Sequence, residues 1–179
     1  MPEITLISFG YFEKDLLESV AEVVKLEFRT SAMVREGHID LSDYYDPGRR
    51  QYNGNTLLKH VDSLILPVTG KMLGLFNVDL FIPILTYIFG QAFLGGRTGI
   101  ASLYRLNNEC YGLSPDHHLM VERFKKEVIH ELGHMFGLIH CRMQSCVMKS
   151  STYVEDIDQK NHSLCPECRK WLGENTVEF

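Results

Sequence analysis

The amino-acid sequence predicts an α/β fold with a mixed sheet. β-Rich segments alternate with helical patterns over about the first hundred residues, and a long, clearly signalled helix follows them. Such alternation is typical of α/β proteins. The 179 residues suit a single domain, because no internal repeat, low-complexity tract or Gly/Ser-rich linker divides them.

Local patterns indicate the first elements. Ile4–Phe9 is rich in β-forming residues and is followed by a glycine, which predicts the first strand. Lys14–Phe28 carries apolar residues close to helical spacing, with acidic residues opposite, and predicts a helix. We expect a second strand at residues 29–34 and a polar loop with aromatic side chains at residues 44–55.

Shorter elements are predicted in the middle of the chain. We expect a helix fragment at residues 56–60 and a buried strand at residues 64–68. Residues 85–89 and 99–106 flank the sequence Gly95-Gly96-Arg97. This arrangement indicates two strands joined by a glycine turn.

The clearest helix is predicted to open at Ser114 and Pro115. The serine hydroxyl can cap free backbone amides, and proline suits the first helical position. Apolar residues at helical spacing continue to Gly137, where we expect the helix to end in a left-handed residue.

The overall charge excludes several classes of function. Lysine and arginine number 18 against 23 aspartates and glutamates, a formal net charge of −5. We therefore expect no nucleic-acid partner and no polybasic membrane anchor. The longest apolar stretch, residues 80–90, is shorter than the roughly 20 residues that span a bilayer. No secretory signal is visible at the start, so we expect a cytoplasmic protein. We also expect a monomer.

Two histidines on the long helix have the spacing of metal ligands. His130 and His134 lie four residues apart, so their imidazoles project from one face about one turn apart. That separation lets two nitrogens meet one tetrahedral ion at about 2.1 Å. Glu131 follows the first histidine and can lean over the site as a base without binding the ion.

A third histidine can join them only if the helix ends. In a continuous helix, His140 would lie about 15 Å along the axis from His130. Gly137 removes this separation, because glycine enters the left-handed region cheaply and can turn the chain back under the helix. Three histidines leave the fourth position of a zinc ion open to water, as in catalytic sites.

The whole string, His-Glu-x-x-His-x-x-Gly-x-x-His, resembles the zinc signature of the metzincin metallopeptidases. Cysteines follow it at Cys141, in Cys146-Val147-Met148 and in Cys165-Pro166-Glu167-Cys168. This continuation resembles the archaemetzincins, the metzincin branch that has four cysteines after the histidines. The specific match covers about residues 127–168.

The resemblance implies a fold. It implies a single metzincin-like domain of residues 1–179, with a mixed-sheet upper lobe at about residues 1–137. A smaller, zinc-stapled C-terminal lobe would occupy about residues 138–179, and the long active-site helix would lie between the lobes.

The resemblance also implies roles for particular residues. Catalytic zinc would be bound by His130, His134 and His140, and Glu131 would be the general base. Met148 would form the floor beneath the metal. Several secreted metzincins place a tyrosine ligand two residues after this methionine, where the present chain has Ser150.

The cysteines predict a second, structural zinc ion independently. The spacings Cys-x-x-x-x-Cys and Cys-x-x-Cys supply a closed set of four thiolates: Cys141, Cys146, Cys165 and Cys168. Because His140 and Cys141 are adjacent, they point to opposite sides of an extended segment, and one can serve each ion. Two disulfides or buried free thiols are the alternatives. Cys110 has no partner in sequence.

Two classes of function are compatible with these patterns. The first is a zinc-dependent peptidase with two zinc ions per chain, whose peptide or protein substrate lies along a sheet edge, for which residues 99–106 are the candidate. The alternative is a zinc-stabilised peptide-binding or regulatory protein with little turnover. A small-molecule hydrolase is a third possibility. Glu131 favours an enzyme, because metal binding alone does not require it.

Overall fold

The computed structural model describes residues 1–64 and 69–175. The helices of this part of the chain are α1 (Lys14–Phe28), α2 (Gly54–Ser63), α3 (His117–Met135), α4 (Val154–Gln159) and α5 (Pro166–Asn175). Its strands are β1 (Ile4–Phe9), β2 (Ala32–Gly37), β3 (Tyr45–Asp46), β4 (Gln51–Asn53), β5 (Lys71–Phe76), β6 (Leu80–Phe81), β7 (Gly90–Ala92) and β8 (Thr98–Ser102). None of these helices is long and apolar enough to cross a membrane.

The main sheet is mixed, as predicted. Its strand order is β2-β1-β5-β8-β7, and only the β7–β8 pair is antiparallel. The sheet edge expected at residues 99–106 is therefore wrong, because β8 is hydrogen-bonded on both sides. The edge strands are β2 and β7, and the edge next to β8 is the three-residue strand β7, which is too short to produce a sequence pattern of its own.

Both faces of this sheet are buried, which explains the nearly continuous apolar run of β1. Leu6 and Leu73 belong to the core cluster that includes residues of α1 and α3, whereas Ile7 and Met72 pack with residues of α2. Fully burying such a side chain stabilises the fold by about 1.5–3 kcal/mol. Adjacent residues of one strand thus fasten helices to opposite faces, and α3 is held firmly against the sheet.

Several predicted elements are shifted in the structure. The second strand begins at Ala32 and runs to Gly37. The loop expected at residues 44–55 contains β3 and β4, which form a small second sheet with β6. In residues 85–89 the sole strand-like feature is a bridge from Ile88 to Leu80, because the strand itself begins at Gly90.

The helix expected at residues 56–60 is confirmed as the centre of α2. The strand expected at residues 64–68 lies outside the described residues, except for Leu64, which directly follows α2.

The long helix α3 begins later than predicted. Its N-cap is Asp116, whose Oδ1 accepts a hydrogen bond from the Leu119 amide at 2.9 Å, so the cap expected at Ser114 is wrong. Aspartate caps a helix as well as serine does, and local composition does not separate two such nearby candidates. The predicted left-handed end is confirmed, because Gly137 has a φ of +96°.

Ion pairs fasten the C-terminal segment to the rest of the molecule. Arg123 on α3 pairs with Asp158 on α4 at 2.7 Å, and the Arg123 side chain is almost fully buried. Arg169 on α5 pairs with Glu27 on α1 at 2.7 Å, and Glu27 also accepts the Leu164 amide. The chain after α3 is therefore held in a defined position beneath the helix.

Candidate metal centre and catalytic cleft

The two histidines of α3 present matched nitrogens. The Nε2 atoms of His130 and His134 lie 3.1 Å apart. Each Nδ1 lies 2.8 Å from a backbone carbonyl, that of Val147 for His130 and that of Leu138 for His134. Because a carbonyl only accepts, each Nδ1 carries the proton and each Nε2 keeps a free lone pair for a metal.

The chain reversal at the end of α3 places His140 next to the other two histidines. The Leu138 amide donates to the Gly133 carbonyl and the Gly137 amide to the His134 carbonyl, both at 2.9 Å, which is a Schellman motif. The chain then reverses, and the His140 ring centroid lies 5.3 Å from that of His130 and 4.9 Å from that of His134. The predicted role of Gly137 in directing the chain back is confirmed.

The three imidazoles suit a zinc ion in both spacing and charge. One nitrogen from each lies within 4.8 Å of the others. Zinc bonds of 2.1 Å at tetrahedral angles separate ligand nitrogens by about 3.4 Å. Burial lowers the pKa of His130 well below its ordinary value, and it also lowers the pKa values of His134 and His140. Neutral imidazoles are the form that binds metal.

Glu131 lines the same cleft as the three histidines, and one oxygen of its carboxyl is unpartnered among the described residues. The residue is 4% exposed, and its Oε2 has no hydrogen-bond partner within the described residues. Burial, and then the neighbouring Glu127 carboxyl, raises the pKa of Glu131 well above its ordinary value. A Cβ at Gly90 would lie 2.7 Å from Glu131 Cγ. Glycine at this position therefore lets the edge strand pass directly over the carboxyl.

Met148 lies beneath the helix at Gly133. Its side chain is fully buried, and a Cβ at Gly133 would overlap its sulfur. Because Gly133 immediately precedes His134, the thioether packs against the backbone that positions the second imidazole. The geometry agrees with a floor under the metal centre.

A cleft of about 580 Å³ opens above the histidines. It is bounded by β7, by α3 and by residues 150–153, and its lining includes all three imidazoles. The Phe89 carbonyl and the Phe93 amide bond to β8, so the backbone groups of Gly90 and Ala92 point away from β8. These groups form the free edge of the sheet beside the cleft.

The four C-terminal cysteines meet at a second cluster. Sγ atoms lie 3.8 Å apart for Cys141 and Cys165 and 3.9 Å apart for Cys146 and Cys168. All four are free thiols, so the disulfide alternative is not found, since a disulfide bond measures about 2.05 Å. Tetrahedral zinc with bonds of 2.3 Å separates sulfurs by about 3.8 Å. The cluster therefore matches a closed zinc site.

The two clusters meet at the neighbouring residues His140 and Cys141. The Cys141 amide donates to the Met148 carbonyl at 2.9 Å, which closes residues 141–148 into a loop. His140 lines the cleft, whereas the adjacent Cys141 belongs to the cysteine cluster. The side chains of His140 and Cys141 thus serve different clusters, as predicted.

Comparison with known proteins identifies the family. The sequence matches the model of peptidase family M54 over residues 48–174. The chain belongs to peptidase family M54. It is a zinc metallopeptidase of the archaemetzincin family, and an archaemetzincin from Thermococcus kodakarensis is 37% identical over 183 residues, covering 98% of this chain and 97% of the relative.

Solved archaemetzincin structures have the same fold. The crystal structure from Methanopyrus kandleri matches with a TM-score of 0.85 and 32% identity, over 97% of this chain and 94% of that one. The archaemetzincin from Archaeoglobus fulgidus, crystallised in complex with malonate, matches with a TM-score of 0.77 and 32% identity, over 93% and 98% of the two chains.

Two charged residues of this archaemetzincin-family cleft have no counterpart in our sequence predictions. Glu127 and Lys160 are 3% and 2% exposed, and both line the cleft. Glu127 precedes Glu131 by one helical turn, and this spacing was a usable signal. Lys160 belongs to no motif, so only the folded chain brings it to the site.

Other candidate positions stay outside the metal clusters. Ser150 lines the cleft at the position where some secreted metzincins have tyrosine. Cys110 lies apart from the cysteine cluster, and its thiol donates to the Tyr104 carbonyl at 3.2 Å.

Proposed function

We propose that the chain hydrolyses peptide bonds in the cleft, with Glu131 as the general base. The catalytic zinc would be held by His130, His134 and His140. One observation supports this proposal most directly: three neutral imidazoles converge in an open cleft that is also lined by the buried Glu131 carboxyl, whose Oε2 has no hydrogen-bond partner in the described part of the chain. Metal storage or structural support would not require such a carboxyl.

Zinc and Glu131 would have different roles in the reaction. Zinc, when bound, supplies Lewis-acid chemistry, which makes a water easier to deprotonate and a peptide carbonyl easier to attack. Glu131 Oε2 is free to accept the proton that the attacking water loses. Because burial favours the protonated carboxyl, Glu131 then holds that proton until the leaving amine takes it.

The substrate would bind along β7. The free backbone groups of Gly90 and Ala92 can pair with an extended peptide, which would add a strand to the sheet. Since Gly90 packs against Glu131, a peptide bond on this edge would lie close to the base. The substrate would therefore pair with β7 rather than with residues 99–106, but it would still bind by backbone hydrogen bonds to a sheet edge.

The cysteine cluster would hold a second, structural zinc, making two zinc ions per chain. Four thiols within 4.8 Å of one another form a complete ligand set. The single domain would then consist of an upper lobe at about residues 1–137 and a smaller lower lobe at about residues 138–179, which this zinc ion would stabilise. Structural zinc would then stabilise the lower wall of the cleft.

The cellular setting follows from the same residues. Four free thiols favour a reducing compartment, which supports the cytoplasm. A monomer would suffice, because one chain supplies every residue of both clusters.

Replacement of the base tests the mechanism. Glu131→Gln keeps size and hydrogen bonding but removes basicity, so zinc content should stay at the wild-type value. Hydrolysis of a diverse peptide library, followed by mass spectrometry, should fall by roughly 100-fold or more. Glu122→Gln is the matched control, because Glu122 lies on the same helix, is half-buried and pairs with Lys125 rather than facing the cleft.

The outcomes separate the two classes of function. Equal turnover by wild type and Glu131→Gln would remove Glu131 as the base. Loss of zinc together with activity would make Glu131 a structural residue. Peptide binding without hydrolysis by zinc-loaded wild type would favour the binding or regulatory alternative.

A further inference from the structure

Lys160 is a buried lysine in the wall of the catalytic cleft. It is 2% exposed and lines the cleft with His130 and Glu131. Among the described residues of this lining it is the sole lysine or arginine. A cation at this depth requires an explanation, because burying an ammonium group is costly unless it is paired.

The Lys160 ammonium is only partly paired. Its Nζ donates one hydrogen bond, of 2.8 Å, to the Lys149 carbonyl. An ammonium has three N–H donors. No carboxylate of residues 1–64 or 69–175 lies within the 4.0 Å limit of an ion pair with Lys160. Two donors are therefore available to an acceptor that enters the cleft.

Ser151 adds a second unpaired polar group to the same lining. Its Oγ is shielded from solvent and has no hydrogen-bond partner in the described part of the chain. The next two amides, of Thr152 and Tyr153, are already bound to Asp156 Oδ2 at 2.8 and 2.9 Å. The Ser151 hydroxyl, which has no partner in that part of the chain, and the Lys160 ammonium, which has one, can therefore both donate to an acceptor that enters the cleft.

The carboxyl groups around Lys160 attract its ammonium without pairing with it. Glu127 and Glu131 act on Lys160 electrostatically, and so does Asp156. None of the three lies within the 4.0 Å limit of an ion pair with Lys160. Asp156 Oδ2 already accepts two backbone amides. The ammonium therefore keeps donors for a carboxylate that enters the cleft.

We propose that Lys160 binds a carboxylate of the peptide substrate and makes the enzyme select peptides with an acidic group near the cleaved bond. This proposal rests on the peptidase function proposed above. The carboxylate belongs either to an Asp or Glu side chain or to the C-terminus of a short peptide. Both sources would meet the ammonium through the same charge-assisted hydrogen bonds.

Paired peptides and paired variants test the role of Lys160. The peptides are acetylated hexapeptides that carry Asp or Asn at each position in turn, each with a free or an amidated C-terminus. Lys160→Met keeps an unbranched apolar stem and removes the charge. Lys126→Met is the matched control, because Lys126 is half-buried, also donates to a backbone carbonyl, that of Ile157 at 3.0 Å, and does not line the cleft.

Wild type should cleave the carboxylate member of one pair roughly 10- to 100-fold faster, measured as kcat/KM. Lys160→Met should lose this preference, and Lys126→Met should keep it. A preference between Asp and Asn would assign the side chain as the source, whereas a preference for the free C-terminus would assign the terminal carboxylate.

Equilibrium binding separates this inference from the peptidase proposal. The same peptide pairs are titrated calorimetrically into the zinc-loaded Glu131→Gln protein, with and without Lys160→Met. A charge preference in Kd that depends on Lys160 would support the subsite even if no peptide is hydrolysed.

Three results would overturn the proposal: no preference in wild type, a preference that survives in Lys160→Met, or an equal loss on all peptides. The last result would make Lys160 a partner of Glu127 and Glu131 instead. If Lys160→Met does not fold, Lys160→Gln and the wild-type peptide pairs decide the question.

Discussion

The histidine cluster and the cysteine cluster are joined at two consecutive residues, His140 and Cys141, but they differ in how open they are to solvent. The histidine cluster opens into a cleft of about 580 Å³, and His140 is exposed. The cysteine cluster is more closed, since Cys146 and Cys165 are buried and the other two thiols are half-buried. An open donor set with three ligands suits chemistry, and a closed set of four suits structure.

The closed cluster supports the open one through the backbone. Val147, which accepts the hydrogen bond that orients His130, lies between Cys146 and Met148. His140 is bonded directly to Cys141. A disturbance of the cysteine cluster should therefore reach two of the three imidazoles, whereas the reverse effect should be small.

Chelation should expose the largest difference between the clusters. Three neutral imidazoles and a water hold zinc less firmly than four thiolates in a closed site. After mild chelation, elemental analysis should show about one zinc retained per chain and no hydrolysis. Added zinc should restore activity. A cysteine cluster without metal in protein purified under anaerobic conditions would contradict the structural role.

Loss of one thiolate should be the next largest effect. Cys165→Ser should lower the free energy of unfolding by about 4 kcal/mol or more, as expected for loss of a metal site. It should also weaken catalytic zinc binding, although Cys165 is not in the cleft lining. Cys110→Ser is the control and should change thermal stability little. Equal melting temperatures for Cys165→Ser and wild type would refute the link between the clusters.

A methyl group added at Gly133, next to Met148, should lower stability less than the loss of a cysteine ligand. Gly133→Ala places a Cβ against the Met148 sulfur, and overpacking of this kind costs about 1–3 kcal/mol. We expect weaker zinc binding at the histidines, measured by competition with a chelator, and an intact cysteine site. Gly173→Ala in α5 meets no atom within 4 Å and should be neutral or slightly stabilising. Unchanged zinc affinity in Gly133→Ala would argue against a floor at Met148.

The smallest effect should appear in protein whose catalytic zinc has been removed. The pKa of Glu131 is raised in the folded state, so its contribution to stability is complete below its unfolded pKa of about 4.5. That contribution is lost as the pH rises through the folded value. Glu131→Gln cannot ionise and should therefore be more stable than wild type at pH 8, by on the order of 1 kcal/mol. Melting curves between pH 5 and pH 8 should show a widening gap, and a constant gap would contradict the assignment.

Sequence patterns predicted the parts of the site that depend on local spacing. His130 and His134 follow from helical periodicity, His140 follows from the glycine that ends the helix, and the cysteine pairs follow from their spacing. Register and strand order do not follow from local spacing. Local patterns therefore indicate residues 99–106 as the substrate edge, whereas the fold places β8, which contains the first of these residues, inside the sheet.

The amino-acid sequence by itself determined the candidate metal ligands, the long helix, the mixed α/β character and the metallopeptidase family. The signals for these are short-range: helical spacing, a glycine that ends the helix, pairs of nearby cysteines, and alternating strand and helix patterns. The tertiary structure alone decided that β7 is an edge strand, that Gly90 lies over Glu131, and that Lys160 enters the cleft. These contacts join residues far apart in sequence, and they form only when the whole core packs.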